Sequence, residues 1–195
     1  EVNLRMADVV IINKIDTAKP KSIAKIRKIL AETVPNAIVI DAASPVRVTD
    51  ESLIRNKKVL IVEDGPTLTH GEMKIGAGTV AAQKFGASEI VDPRPFLVGK
   101  LKETFNIYPE IGTVLPAMGY GEKQLRDLEA TINACDCETV LIGTPIDLNR
   151  VIKIDKPSVR VSYNLQSIGQ PTFKDVIDDF LTKKGMAKHE EEAVY

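Results

Sequence analysis

Short apolar runs alternating with stretches of helical periodicity constrain this chain more than any other feature. Runs such as VVII at 9–12 and VLIV at 59–62 are apolar throughout rather than at every second position. That is the pattern of a strand covered on both faces, as in a parallel sheet. Strands are predicted near residues 8–12, 37–41, 58–63, 89–91, 112–115, 139–142 and 158–163. The fold class is therefore α/β, mostly parallel sheets with flanking helices.

Three intervening segments carry clear helical signals. SIAKIRKILAETV places Ile23, Ile26, Leu30 and Val34 on one stripe, with Ser22 available as an N-cap and Pro35 as a stop. GEKQLRDLEATINA spaces Leu125, Leu128 and Ile132 helically, with Glu122 at the positive end of the helix dipole. TFKDVIDDFLTKKG pairs Thr172 with Asp175 as a capping box, aligns Phe173, Val176, Ile177, Phe180 and Leu181, and ends on Gly185. The polar interval TDESLIRNKK separates two strand-containing units, so the chain divides into residues 1–55, 56–170 and a C-terminal helix with a flexible tail, 171–195.

Composition narrows the function classes. Lys and Arg number 26 against 27 Asp and Glu, so no overall charge favours nucleic acid or a membrane surface, and any anion site must be local. The apolar runs are far too short to span a bilayer, and a cytoplasmic location is expected. The two cysteines, Cys135 and Cys137, lie one residue apart where a helix hands over to a strand. With only His70 and His189 elsewhere they fall short of a zinc set, and they read as reduced thiols.

In a parallel sheet, ligands gather at the carboxyl ends of the strands, so the loops there matter most. After the first strand comes NKID. Asp16 can accept from the N1 and N2 hydrogens of guanine, Asn13 can bond the other edge, and the Lys14 stem can lie along the ring. One helix and one strand later, Ala43 and Ser44 take the place of a second base-contacting loop. Such a segment implies an upstream phosphate-cradling loop, which no part of this sequence supplies. Residues 1–55 are accordingly expected to be the end of a P-loop nucleotide domain, followed by a Rossmann-like α/β domain.

The third loop, EDGPTLTHGEMKIGAGTVAA, is the most polar and glycine-rich part of the chain. Gly76, Gly78 and Ala81 satisfy a G-x-G-x-x-[GA] spacing, but about a dozen residues separate them from the strand, which fits a dinucleotide fingerprint poorly. A phosphate loop opening a helix near Thr79 fits better, with Gly76, Gly78 and Thr79 approaching the anion. Around it, Glu63 and Asp64 are candidate Mg²⁺ ligands, and Asp64, His70, Lys74 and Arg94 are candidate catalytic groups. Gly119, Tyr120 and Gly121 at a helix N-terminus, with Thr144 and Arg150 after the next strand, extend the phosphate-binding set. Lys74, Arg94, Arg150 and Arg160 at loop ends would suit a small, multiply phosphorylated ligand, unless ion pairs with Glu63, Asp92 or Asp147 occupy the arginines.

VEDGPTLTHGEMKIGAGTVAA, DPRP, VLPAMGYG and IGTPIDLNRVIKIDKPSVRVSYNL, within residues 8–165, resemble the C-terminal region of the cyclic 2,3-diphosphoglycerate synthetase family. The resemblance implies a preceding P-loop domain of the same protein and ATP-driven closure of an intramolecular phosphoanhydride in 2,3-bisphosphoglycerate. It implies ATP where NKID suggests GTP, so the expected cofactors are Mg²⁺ with ATP or GTP. The expected partners are a small phosphorylated substrate and the P-loop domain, with no nucleic acid and no membrane, and self-association is left open. A GTP-hydrolysing switch of metallochaperone type and a non-catalytic nucleotide-binding module are the competing readings.

Overall fold

The computed structural model describes residues 2–65 and 76–186. In chain order the elements are α1 (Val2–Arg5), β1 (Val9–Ile12), α2 (Pro20–Thr33), β2 (Ile38–Ala43), β3 (Val46–Val48), β4 (Lys58–Asp64), α3 (Ala77–Lys84), β5 (Glu89–Ile90), α4 (Lys100–Ile107), β6 (Leu115–Ala117), α5 (Glu122–Ala134), β7 (Thr139–Ile142), β8 (Ser158–Tyr163), β9 (Gln166–Ile168) and α6 (Phe173–Lys183). Short 3-10 turns at Glu51–Leu53, Arg94–Phe96 and Leu148–Arg150 punctuate the connections. The chain forms two compact units, which pass from one to the other after Pro45 and back again at Asn164.

The first unit holds β1, β2 and β9 in that order. β1 and β2 run parallel, Val9 opposite Ile38 and Ile12 opposite Asp41, whereas β9 returns antiparallel on the far side of β2. Its small core is Ile12, Leu30 and Val34, with Ile23 and Val39 packed against them. Helix α2 starts earlier than its apolar stripe suggests. Pro20 takes the first turn, where a missing N–H costs nothing, Lys19 stands at the N-cap without a side-chain bond, and Ser22 is inside the helix rather than capping it.

The second unit is the Rossmann-like one. Its sheet has the order β3–β8–β7–β4, and β5 and β6 share the remaining edge of β4, β5 beside Lys58 and Val59 and β6 beside Val62–Asp64. Strands β4 to β8 are parallel, and only β3 is antiparallel, on β8. Val59–Val62 and Thr139–Ile142 are buried along their whole length, as strands covered by helices on both faces must be. Leu60, Ile61, Leu141, Ile142, Leu115 and Ile132 centre the core.

The strand expected at 112–115 lies slightly later, at 115–117, with Pro116 inside it; an edge strand tolerates a residue that has no N–H to give. After β4 the chain builds outward to β5 and β6, then crosses back to lay β7 on the other side of β4. The sheet's order reverses between β4 and β7, and their carboxyl ends, Glu63–Asp64 and Gly143–Thr144, flank that point. Among the described residues no helix is long and apolar enough to cross a membrane.

Candidate functional site

The first unit brings its predicted base-contacting residues together. β1 delivers Asn13, Lys14 and Asp16 to a turn, and β2 delivers Ala43 and Ser44 beside it. The Ser44 hydroxyl donates to Asn13 Oδ1 at 2.9 Å, and the same oxygen accepts the Lys14 N–H at 2.7 Å. The Ile15 N–H donates to the Ala42 carbonyl, tying the two loops. Lys14 adopts φ of 60°, a left-handed conformation that makes the turn after the strand abrupt. Asp16 and Lys14 stand exposed on its outer side.

In the second unit, the switch point is built around one buried carboxylate. Glu63, only 3% exposed, turns from the end of β4 into the N-terminus of α3, where the Thr79 N–H donates to Oε1 at 3.1 Å. Burial pushes its carboxyl above the usual range, and the backbone N–H groups of Thr79 and Gly78 pull the other way. Three glycines crowd it. A Cβ at Gly76 would collide with the carboxylate, one at Gly78 would lie 3.1 Å from Oε1, and one at Gly143 would lie 2.5 Å from Oε2 and 3.0 Å from the Gly78 nitrogen. The helix end read as a phosphate cradle therefore holds a protein carboxylate, whose charge answers the same dipole and the same unpaired donors.

The next loop along the edge follows β6. Gly121 is the N-cap of α5, and the Gln124 side chain folds back so closely that a Cβ at Gly119 would lie 2.6 Å from its amide. Tyr120 reaches over to β7, its hydroxyl 3.1 Å from Thr144 Oγ1, and that buried oxygen also accepts the Ile146 N–H at 3.4 Å. Met118 closes the gap to β4, since a Cβ at Gly65 would lie 2.6 Å from its sulfur. Thus Glu63, Gly76, Gly78, Thr79 and Gly143 form one corner, and Tyr120 and Thr144 a second; Asp64 ends β4 opposite Ala117.

The arginines do something else. Arg94 holds Asp92 through Nη1, at 3.1 Å and 3.0 Å to the two oxygens, donates from Nη2 to the Ile111 carbonyl and lies 5.3 Å from the Phe105 ring. Its donors bridge the interval between the end of β5 and the start of β6, and are taken up by Asp92 and the Ile111 carbonyl. Arg150 and Arg160 both face Asp147, at 3.5 Å and 3.8 Å. Cys135 and Cys137 are buried free thiols, Cys135 pushed up to about 12 by burial. Among the described residues no group of three or more His, Cys, Asp or Glu side chains is placed to hold a metal ion. His70 and Lys74 lie outside the described residues.

Sequence reasoning did not single out Gly143, Gly65, Met118 or Gln124. Gly143 carried a usable signal, a glycine directly after a fully apolar strand; the others are fixed by pairing across distant segments.

No family model matches the chain. Over 180 residues, 92% of its length, it is 56% identical to a protein named arginine synthetase ArcE from Thermococcus kodakarensis. The chain spans 40% of the length of that relative, whose name shares the synthetase class implied by the sequence resemblance but carries arginine in place of a cyclic phosphoanhydride.

Proposed function

We propose that this chain supplies the nucleotide-base contacts and the amino-acid-handling edge of a nucleoside-triphosphate-driven synthetase whose product is arginine. The observation that carries the reading is 56% identity across 92% of the chain to a protein of that name. Charge supports it. The arginines that a multiply phosphorylated substrate would need are turned to Asp92 and Asp147, while β4 ends in the carboxylate of Asp64, Glu63 beside it being buried against α3. Such an edge suits a neutral or cationic substrate better than a polyanion. Asn13, which accepts from Ser44, with Lys14 and Asp16 is the base-contacting set in this reading, with Mg²⁺ and ATP or GTP as the expected cofactors. In this reading the triphosphate-holding loop belongs to the part of the longer relative that this chain does not cover.

A second reading, closure of the phosphoanhydride in 2,3-bisphosphoglycerate, is favoured by the segments VEDGPTLTHGEMKIGAGTVAA and IGTPIDLNR. Synthetase reactions run both ways, so one reverse assay separates the two. The full-length protein is given Mg²⁺, phosphate and either ADP or GDP, then L-arginine or cyclic 2,3-diphosphoglycerate. Triphosphate formed only with L-arginine supports the first reading, triphosphate formed only with the cyclic compound selects the second, and none with either overturns both. The diphosphate that is consumed reports the base.

A further inference from the structure

A cavity of about 200 Å³ lies in the second unit between α4 and α5, over the carboxyl end of β6. Its walls are of two kinds. Leu101, Met118 and Leu128 form an apolar lining, and Glu103, Asp127 and Lys100 bring charge to it. The volume is below that of pockets for drug-sized ligands and suits a free amino acid rather than a nucleotide. Asp127 is fixed in place, accepting the Lys100 N–H at 3.0 Å and so closing the N-terminus of α4. Glu103, in the first turn of the same helix, has no hydrogen-bond or ion-pair partner among the described residues. Met118 is a wall of this cavity and also the side chain packed against Gly65, the residue that follows β4.

We propose that this cavity binds a free α-amino acid with a long aliphatic stem and a cationic end, its stem along Leu101, Met118 and Leu128, its positive groups toward Glu103 and Asp127, and its carboxylate toward Lys100. Two carboxylates against one ammonium select a ligand of net positive charge, and the apolar walls need three or four methylenes to cover them. The proposal rests on the synthetase reading for the identity of that amino acid, and L-arginine is the probe.

The full chain, labelled with ¹⁵N, is titrated with L-arginine and, as an anion of similar size, L-glutamate. Shifts confined to amides of residues 100–107 and 116–128 with L-arginine alone are expected. Glu103→Lys and Glu103→Gln, on an exposed helix position, should weaken L-arginine binding at least about tenfold and about threefold, with unchanged spectra elsewhere. Equal binding of L-glutamate, shifts located elsewhere, no shifts up to about 10 mM, or unaltered binding in both variants would each overturn the site. Failure of the function reading looks different: L-arginine shifts these amides, yet the full-length protein forms no triphosphate from it.

Discussion

Gly143 has no room for a side chain. A Cβ there would lie 2.5 Å from Glu63 Oε2 and 3.0 Å from a backbone nitrogen, and neither neighbour is the loose end of a flexible chain. Gly143→Ala should therefore destabilise the second unit by about 1–3 kcal/mol, read as a lowered denaturant midpoint. Glu63 makes a second, pH-dependent prediction. Its folded carboxyl titrates above the ordinary value, so the folded state binds the proton more tightly than the unfolded chain. Its contribution to stability is full in acid and is lost as the pH rises through the raised value. The stability of the parent relative to Glu63→Gln should fall as the pH rises above about 4.5, the ordinary carboxyl value, and a flat difference above that point would show that the group is not perturbed. Arg94 belongs to structure: Arg94→Lys keeps the charge but loses the fork that spans Asp92 and the Ile111 carbonyl, and should cost about 1.5–3 kcal/mol in thermal or denaturant unfolding. The sequence made Glu63, Gly76 and Gly78 visible as chemically suggestive residues. It did not show that Gly143 meets them, because that meeting depends on the β4–β7 register, set by residues some 80 positions apart.

At the scale of elements, the local devices were the legible ones. The Thr172 capping box exists as its spacing suggests: the Asp175 N–H donates to Thr172 Oγ1 at 3.1 Å, and Asp175 Oδ2 accepts the Thr172 N–H at 2.8 Å. Thr172→Ala should cost α6 about 1 kcal/mol, seen as faster hydrogen exchange of its first-turn amides. The Thr172 hydroxyl and N–H hold the Asp175 carboxyl below its usual range, so the cap's help is present at neutral pH and disappears as the pH falls through that lowered value. Long-range elements were harder to read. β3 and β9 are three residues each, VRV and QSI, with no apolar run, and they exist because β8 and β2 offer edges to pair with. Periodicity likewise marked the face of α6 carrying Phe173, Ile177 and Phe180, but these side chains remain 43%, 41% and 53% exposed, because a stripe fixes which residues align and not what lies against them.

At the scale of the molecule, the parallel α/β class follows from runs such as VLIV and TVLI, which become the two central strands of the second unit. That unit is contiguous in sequence, from Val46 to Tyr163, and holds its own core. A chain of residues 46–163 alone should fold cooperatively, with a single unfolding transition and a near-ultraviolet signal from Tyr108, which packs against the core. The first unit is assembled from two stretches far apart in sequence, 2–45 and the described residues from 164 onward. That pairing, β9 on β2, could not be seen in either stretch alone.

The ends of the second unit are hydrogen-bonding neighbours, Val46 opposite Tyr163 on β3 and β8. When this unit is folded it works as a clasp, delivering Pro45 and Asn164 already side by side and removing from the first unit the entropy of closing a loop of well over a hundred residues. By polymer arithmetic that relief is worth about 5 kcal/mol, comparable to a disulfide across the same span. The coupling is reciprocal, because β9 on β2 holds the same two crossings together from the other side. Leu60→Ala, which empties part of the second core, should lower the melting of both units, and Ile12→Ala should loosen the first and cost the second no more than that shared closure term.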